Sequence, residues 1–103
     1  MLLPEAKPDT VDVAVVVIGD NVAAYGLSIA DTLRRGGCAV IHCGGGAAKR
    51  QFKIADRELA RFVAVIGEDE MRQHHVQLKD MQSGTQQAMP VEAAIAAILQ
   101  GHR

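Results

Sequence analysis

The chain has 103 residues, 49% of them apolar, and a net charge of −1, which allows one core but no second, catalytic domain beside it. That balance excludes both a disordered chain and a broadly basic nucleic-acid binder. The longest apolar run, Val13 to Ile18, is far below the roughly 20 residues that span a bilayer.

Residues 1–12 hold Pro4 and Pro8 among scattered charges without periodicity, the pattern of a linker or tether. Val13 to Ile18 is continuously apolar and mostly β-branched, as expected of a strand buried on both faces of a parallel sheet. Asp20 or Asn21 is placed to cap a helix whose Val22, Gly26, Ile29 and Leu33 share one face and which the Gly36-Gly37 pair ends. Cys38 to His42 reads as the second strand. Cys38 and Cys43 stand five residues apart, so extended chain at about 3.3 Å per residue holds their Cα atoms roughly 16 Å apart, too far for a disulfide. Free thiols and the lack of a signal-peptide h-region predict a soluble, cytoplasmic protein.

The triple-glycine turn Gly44-Gly45-Gly46 leads into a helix with two unlike sides. At 100° per residue Ala48, Phe52, Ala55 and Leu59 form an apolar stripe, while Lys49, Arg50, Lys53, Arg57 and Arg61 fan across the other side. Phe62 to Ile66 is a third strand, ended by Gly67 and the acidic Glu68, Asp69 and Glu70. His75, Gln77 and Lys79 then alternate with Val76 and Leu78, a strand with one buried face. Ser83-Gly84 supplies a hairpin turn into Thr85 to Met89, and Pro90 opens a last helix packed through Ala94, Ile95, Ile98 and Leu99. The predicted fold is α/β with three layers: a mixed five-stranded sheet made of a parallel βαβαβ core in the order 2-1-3, then a hairpin and a C-terminal helix, with three helices in all. The domain is read as 13–100, with 101–103 as a tail.

In an open sheet of this kind ligands bind outside the carboxyl ends of the parallel strands, where strand order reverses. Three loops should meet there: Gly19-Asp20-Asn21, Cys43 to Gly46, and Gly67-Glu68. Charge is segregated as well. From Arg34 to Arg61 there are seven cations and two acids, a local charge of +5, against −6 for the rest of the chain. These features fit single-stranded RNA, with Lys49, Arg50 and Lys53 on phosphates and Gln51 and Glu68 on base edges. Tyr25 and Phe52 are the aromatic candidates for stacking, and the apolar stripe assigns Phe52 to the core. The plainer reading of the cations is a solvated helix face.

Other constellations lead nowhere. The glycines lack the spacing of a P-loop or a dinucleotide fingerprint, and no acid ends the second strand to take a ribose. His42, Cys43, His74 and His75 have no paired C-x-x-C spacing and fall on different loops, so no metal site is expected. Cys43 has no base and orienting group placed by the sequence, so it is read as an unreactive thiol.

The glycine turn, AAKRQFKIADRELAR and FVAVIGEDE together resemble the C-terminal anticodon-binding domain of class II aminoacyl-tRNA synthetases, most closely that of the histidyl-tRNA synthetases. There a glycine-rich turn, a K-[KR]-Q-[FM]-K-x-A-D helix and an [IL]-G-E-x-E strand end occur in this order, and the similarity continues through LKDMQSGTQQ to cover roughly Val13 to Leu99. Ala47 and Ala48 stand where the family often has a serine and a bulky apolar residue, and His74 and His75 where a glycine-containing turn is usual. The resemblance implies recognition of the histidine anticodon loop of a tRNA. Catalysis, ATP, magnesium and homodimer formation would then belong to a parent synthetase and its catalytic domain, with no catalytic residue, metal or cofactor here. The alternatives are a freestanding RNA-binding or regulatory domain derived from a synthetase and, more distantly, an enzyme of flavodoxin-like shape.

Overall fold

Val13–Val17 (β1) forms the middle of the sheet, and its burial on both faces explains its composition: all five residues are buried. Each valine contributes about 1.5–3 kcal/mol on burial. The computed structural model describes residues 11–101. In chain order β1 is followed by α1 (Ala23–Arg35), β2 (Val40–His42), α2 (Ala48–Arg57), β3 (Phe62–Ile66), α3 (Glu68–Gln73), β4 (His75–Asp80), β5 (Gln86–Pro90) and α4 (Val91–Gly101). The strands lie in the order β2-β1-β3-β4-β5. β1 is parallel to β2 and β3, while the β3–β4 and β4–β5 pairs are antiparallel.

Alternation across the strands sorts the core into two layers. Val13, Val15 and Val17 pack with Ile29 and Leu33 of α1, Ala94 and Ile98 of α4, and Val76 and Leu78 of β4. Ala14, Val16 and Val63 face the other way, onto Ala55 of α2 and Ala60. Thus α1 and α4 cover one face and α2 the other. α1 approaches β1 closely at Gly26, where a Cβ would stand 2.5 Å from Val17 Cγ2.

Several boundaries differ from the sequence expectation, each for a local reason. Val11 and Asp12 belong to the fold and not to a tether. Asp12 is buried, its N–H donates to Ala39 O, its carboxylate Oδ2 accepts the Ala39 N–H at 2.9 Å, and the Arg61 and Phe62 N–H groups donate to Val11 and Asp12 carbonyls. The rest of the proposed tether, residues 1–10, and the tail residues 102–103 lie outside the described residues. Ile18 is exposed past the end of β1, and Cys38 precedes β2 instead of opening it. α1 begins after Val22 without a side-chain cap, so neither Asp20 nor Asn21 caps it.

Among the described residues there are four helices, not three. The extra one, α3, is a six-residue helix whose Glu70 accepts the Gly67 N–H at 2.8 Å and which ends at His74 with φ 59°. Its acids in the first turn and Arg72 in the last suit the helix dipole. Pro90 closes β5 and α4 starts one residue later; its packing face is Ala94, Ile95 and Ile98, with Leu99 37% exposed. Leu59 leaves the apolar stripe as well. α2 stops at Arg57, and Leu59 turns out at φ 60° with 61% exposure.

Candidate nucleic-acid interface

The three expected loops do meet at the carboxyl edge of the parallel strands. A Cβ on Gly19 would stand 3.6 Å from Glu68 Oε2, and one on Gly67 would stand 3.7 Å from Ile18 O. Asp20, Asn21 and Glu68 are all exposed there, with Glu68 Oε1 4.0 Å from Arg72. Gly44, Gly45 and Gly46 take φ values of 81°, 77° and 86° in succession, a path that only glycine follows without strain. The Gly44 N–H donates to His42 Nδ1 at 3.1 Å. Among the described residues the Gly45 and Gly46 N–H groups meet no acceptor, and α2 starts without a side-chain cap.

Gln51 is not a base reader. Its side chain is fully buried, because a rung of the sheet is missing. β2 pairs with β1 only as far as Val15↔His42, while β3 pairs with it to Val17↔Ile66. After the Cys43 N–H donates to Val15 O, the chain leaves the sheet through the glycines, and the N–H and C=O of Val17 lose the partners that a longer β2 would supply. The Gln51 amide replaces them. Its Oε1 accepts the Val17 N–H at 2.8 Å, and its Nε2 donates to Val17 O at 2.7 Å and to Gly46 O at 2.9 Å. Every amide hydrogen is used, and α2, β1 and the glycine turn are locked together. The sequence does carry a signal: Gln51 and Ala55 are four residues apart on one helical face.

The cations sort by position. Arg35, Arg57 and Arg61 have carboxylates nearby, at Asp31, Glu58 and Asp12. Lys49, Arg50 and Lys53 are exposed, and among the described residues none of them forms an ion pair. Arg50 Nη1 donates to Gly45 O at 3.2 Å, bending over the turn. Two of these cations occupy the first turn of α2, which has no acid. A helix N-terminus is positive, so cations there oppose its dipole unless an anion joins them.

Tyr25 lies elsewhere, in a groove between α1, the α3–β4 turn and the start of α4. Its hydroxyl donates to His75 O at 3.1 Å, and its ring meets His74 edge-on. Burial, then the Glu70 and Glu92 carboxylates, push its pKa up. Its polar handle is thus committed within the fold. Phe52 is half-buried beneath Lys79 Nζ, 5.6 Å from the ring centroid. The Cys43 thiol is buried, and desolvation raises its pKa against a smaller lowering by Arg50. His42, His74 and His75 stand at the end of β2, the end of α3 and the start of β4. Among the described residues no three His, Cys, Asp or Glu side chains gather as metal ligands, and no helix is long and apolar enough to cross a membrane.

A family model for the anticodon binding domain matches residues 12–101. The chain belongs to the anticodon-binding domain family. Within it, a histidine–tRNA ligase from Marinomonas sp. (strain MWYL1) is 39% identical over 88% of this chain and 22% of its own length. The histidyl-tRNA synthetase of Nostoc sp. PCC 7120 superposes with a TM-score of 0.81 at 30% identity, covering 90% of this chain and 23% of the synthetase chain. That of S. aureus gives a TM-score of 0.76 at 26% identity over 92% and 25% of the two chains. This anticodon-binding domain therefore spans about a fifth of the length of the curated relatives it matches. The family resemblance read from the glycine turn and the two motifs after it holds along nearly the whole chain.

Proposed function

We propose that this domain binds the anticodon loop of the histidine tRNA as the RNA-reading part of a cytoplasmic histidyl-tRNA synthetase. The observation that carries this reading is the set of cations Lys49, Arg50 and Lys53, without ion pairs among the described residues, in the first half of α2 beside a glycine turn whose Gly45 and Gly46 N–H groups meet no acceptor among those residues. Phosphates satisfy those groups and relieve the opposition to the helix dipole. Bases then fall toward Asp20, Asn21, Gly44 to Gly46 and Glu68, where carboxylates and backbone groups accept and donate along base edges. Gln51 holds this edge in shape and Tyr25 is committed in its own groove, so neither touches RNA. In the parent enzyme, a homodimer, the catalytic domain binds ATP and magnesium and charges the tRNA.

The test is a salt titration of stem-loop binding. Three phosphate contacts give a log–log slope of about −2, at about −0.7 each for single strands. The triple variant Lys49→Gln, Arg50→Gln, Lys53→Gln should weaken binding to every RNA loop alike and flatten the slope. Glu68→Ala should instead erode the preference for the histidine anticodon by about 1–3 kcal/mol, on the scale of a base-edge pair in DNA. If the folded triple variant binds with unchanged affinity and slope, the cations are only a solvated face and the reading is wrong.

A further inference from the structure

The sheet has two edge strands, and they differ. β5 is mostly exposed and polar and ends on Pro90, whereas Val40, Ile41 and His42 of β2 are all half-buried. Ladder alternation decides which groups β2 leaves open. Ala39 O accepts the Val13 N–H and the Cys43 N–H donates to Val15 O, so residues 39, 41 and 43 face β1. Val40 and His42 therefore turn their N–H and C=O groups outward, and among the described residues those groups meet no partner. The two helices beside β2 make a slot of this edge. Tyr25 of α1 reaches His75 at the β4 side, so Leu27, 200° further round the helix, hangs over β2; it is 58% exposed. Phe52 of α2 lies under Lys79 of β4, so Ile54, again 200° away, faces β2 from below and packs on the same core layer as Ile41. Cations stand at both ends of the slot. Arg34 closes α1 beside the start of β2, and Arg50 opens α2 beside its end. Both are exposed, and among the described residues neither has a carboxylate partner, while the nearby acids Asp31 and Glu58 already face Arg35 and Arg57.

We propose that the open edge of β2 is a docking site for an extended peptide with an apolar centre and acidic ends, which adds a strand to the sheet beside Val40 and His42. Donors alternating with acceptors along one line are what an added strand satisfies; a nucleic acid presents no such row. Side chains of the added strand alternate between the two faces, so one apolar group meets Leu27 and the next meets Ile54. Charge complementarity fixes the ends, which place carboxylates against Arg34 and Arg50. The same cations argue against a second copy of this chain, because pairing β2 with its own copy across a twofold axis sets two like-charged flanks against each other. The site goes beyond the RNA reading and does not depend on it.

The experiment titrates the full chain with a fluorescent peptide of alternating valine and threonine carrying two glutamates at each end, read by anisotropy without RNA. Two control peptides go beside it, one with lysine in place of glutamate and one N-methylated along its centre so that it cannot join a ladder. The acidic peptide should bind and the controls should not. Val40→Pro removes an outward N–H where an edge strand tolerates proline. It should weaken peptide binding about tenfold, through the lost hydrogen bond and the ring's clash with the added strand. Leu27→Ala should weaken it about fivefold through lost apolar contact, and Arg34→Gln should flatten its salt dependence. Stem-loop binding by Val40→Pro and Leu27→Ala should match the parent. Failure of the parent chain to bind the acidic peptide overturns the proposal, as does equal binding of either control peptide. So does parent-like peptide affinity in Val40→Pro, with circular dichroism confirming its fold; if that variant does not fold, parent-like affinity in Leu27→Ala has the same force. A stem-loop defect in either variant without a peptide defect assigns the edge to RNA, and a dimer in sedimentation that Val40→Pro dissociates assigns it to a second copy; both overturn the proposal.

Discussion

Replacing Gln51 by leucine is the sharpest test of how the edge is built. The substitution keeps most of the side-chain volume but removes three hydrogen bonds, all of 2.9 Å or shorter. Gly46 is exposed and water can reach its carbonyl, whereas Val17 is 4% exposed, so its N–H and C=O are left unsatisfied. Two orphaned groups cost about 2–6 kcal/mol, and the leucine's own burial offsets about 1–2 kcal/mol. The net loss of about 1–4 kcal/mol is a large share of an ordinary domain's 5–15 kcal/mol. Urea unfolding followed by circular dichroism measures it. Gln51→Glu gives an independent arm. The introduced carboxylate accepts the Val17 N–H but faces the oxygens of Val17 and Gly46, so its folded-state pKa lies above the unfolded value of about 4.3. A raised pKa contributes stability that is present below that value and is lost as pH rises through the folded pKa. This variant should therefore approach the parent at acid pH and fall away at neutral pH. If Gln51→Leu stays within about 0.5 kcal/mol of the parent, and Gln51→Glu shows no such pH dependence, the missing-rung account is refuted.

Three further outcomes follow from packing and burial. Gly26→Ala should destabilise by about 1–3 kcal/mol through overpacking, since its Cβ would meet Val17 Cγ2 at 2.5 Å; thermal unfolding reads this, and a neutral result would mean α1 slides freely on β1. Leu59→Gly should raise stability by about 0.5–1 kcal/mol despite deleting a large apolar side chain, because it removes left-handed strain of about 1–2 kcal/mol at an exposed site. Cys38 and Cys43 are buried with pKa values raised chiefly by desolvation. They should react with a thiol reagent only as fast as the domain opens, and the stability they share should be present below the unfolded thiol pKa of about 8.5 and fall as pH rises above it.

The elements legible from sequence were those whose pattern is local. Continuous valines announced β1, the alternation of Val76 and Leu78 with polar neighbours announced β4, and the short connections implied the parallel order around β1. α3 was invisible because six residues without an apolar stripe give no period, and its start depends on Glu70 folding back to Gly67. The stripe through Leu59 failed because helical periodicity does not say where a helix stops. Gln51 was misassigned for a deeper reason: its role arises from β2 being shorter than β1, a mismatch between two strands that no window around residue 51 contains. Among the cations, sequence supplied the cluster, while only the structure separated Arg35, Arg57 and Arg61, with acids beside them, from Arg34 on α1 and from Lys49, Arg50 and Lys53 on α2.

A sheet whose last rung is closed by a side chain does not depend on where the backbone goes next. Between Cys43 and Ala47 the turn carries no ladder hydrogen bond of its own beyond the Cys43 N–H to Val15 O, so residues can be inserted there at the small entropic cost of a longer surface loop, about 0.6 kcal/mol for a doubling of length, while exchanging one of the three glycines in place adds left-handed strain of about 1–2 kcal/mol. The one thing the new turn must keep is a carbonyl for the second Nε2 hydrogen of Gln51. The edge that meets the ligand is thereby free to diversify while the scaffold beneath it stays fixed. Amide exchange at Val17 should remain slow across such loop variants even as their RNA preferences diverge.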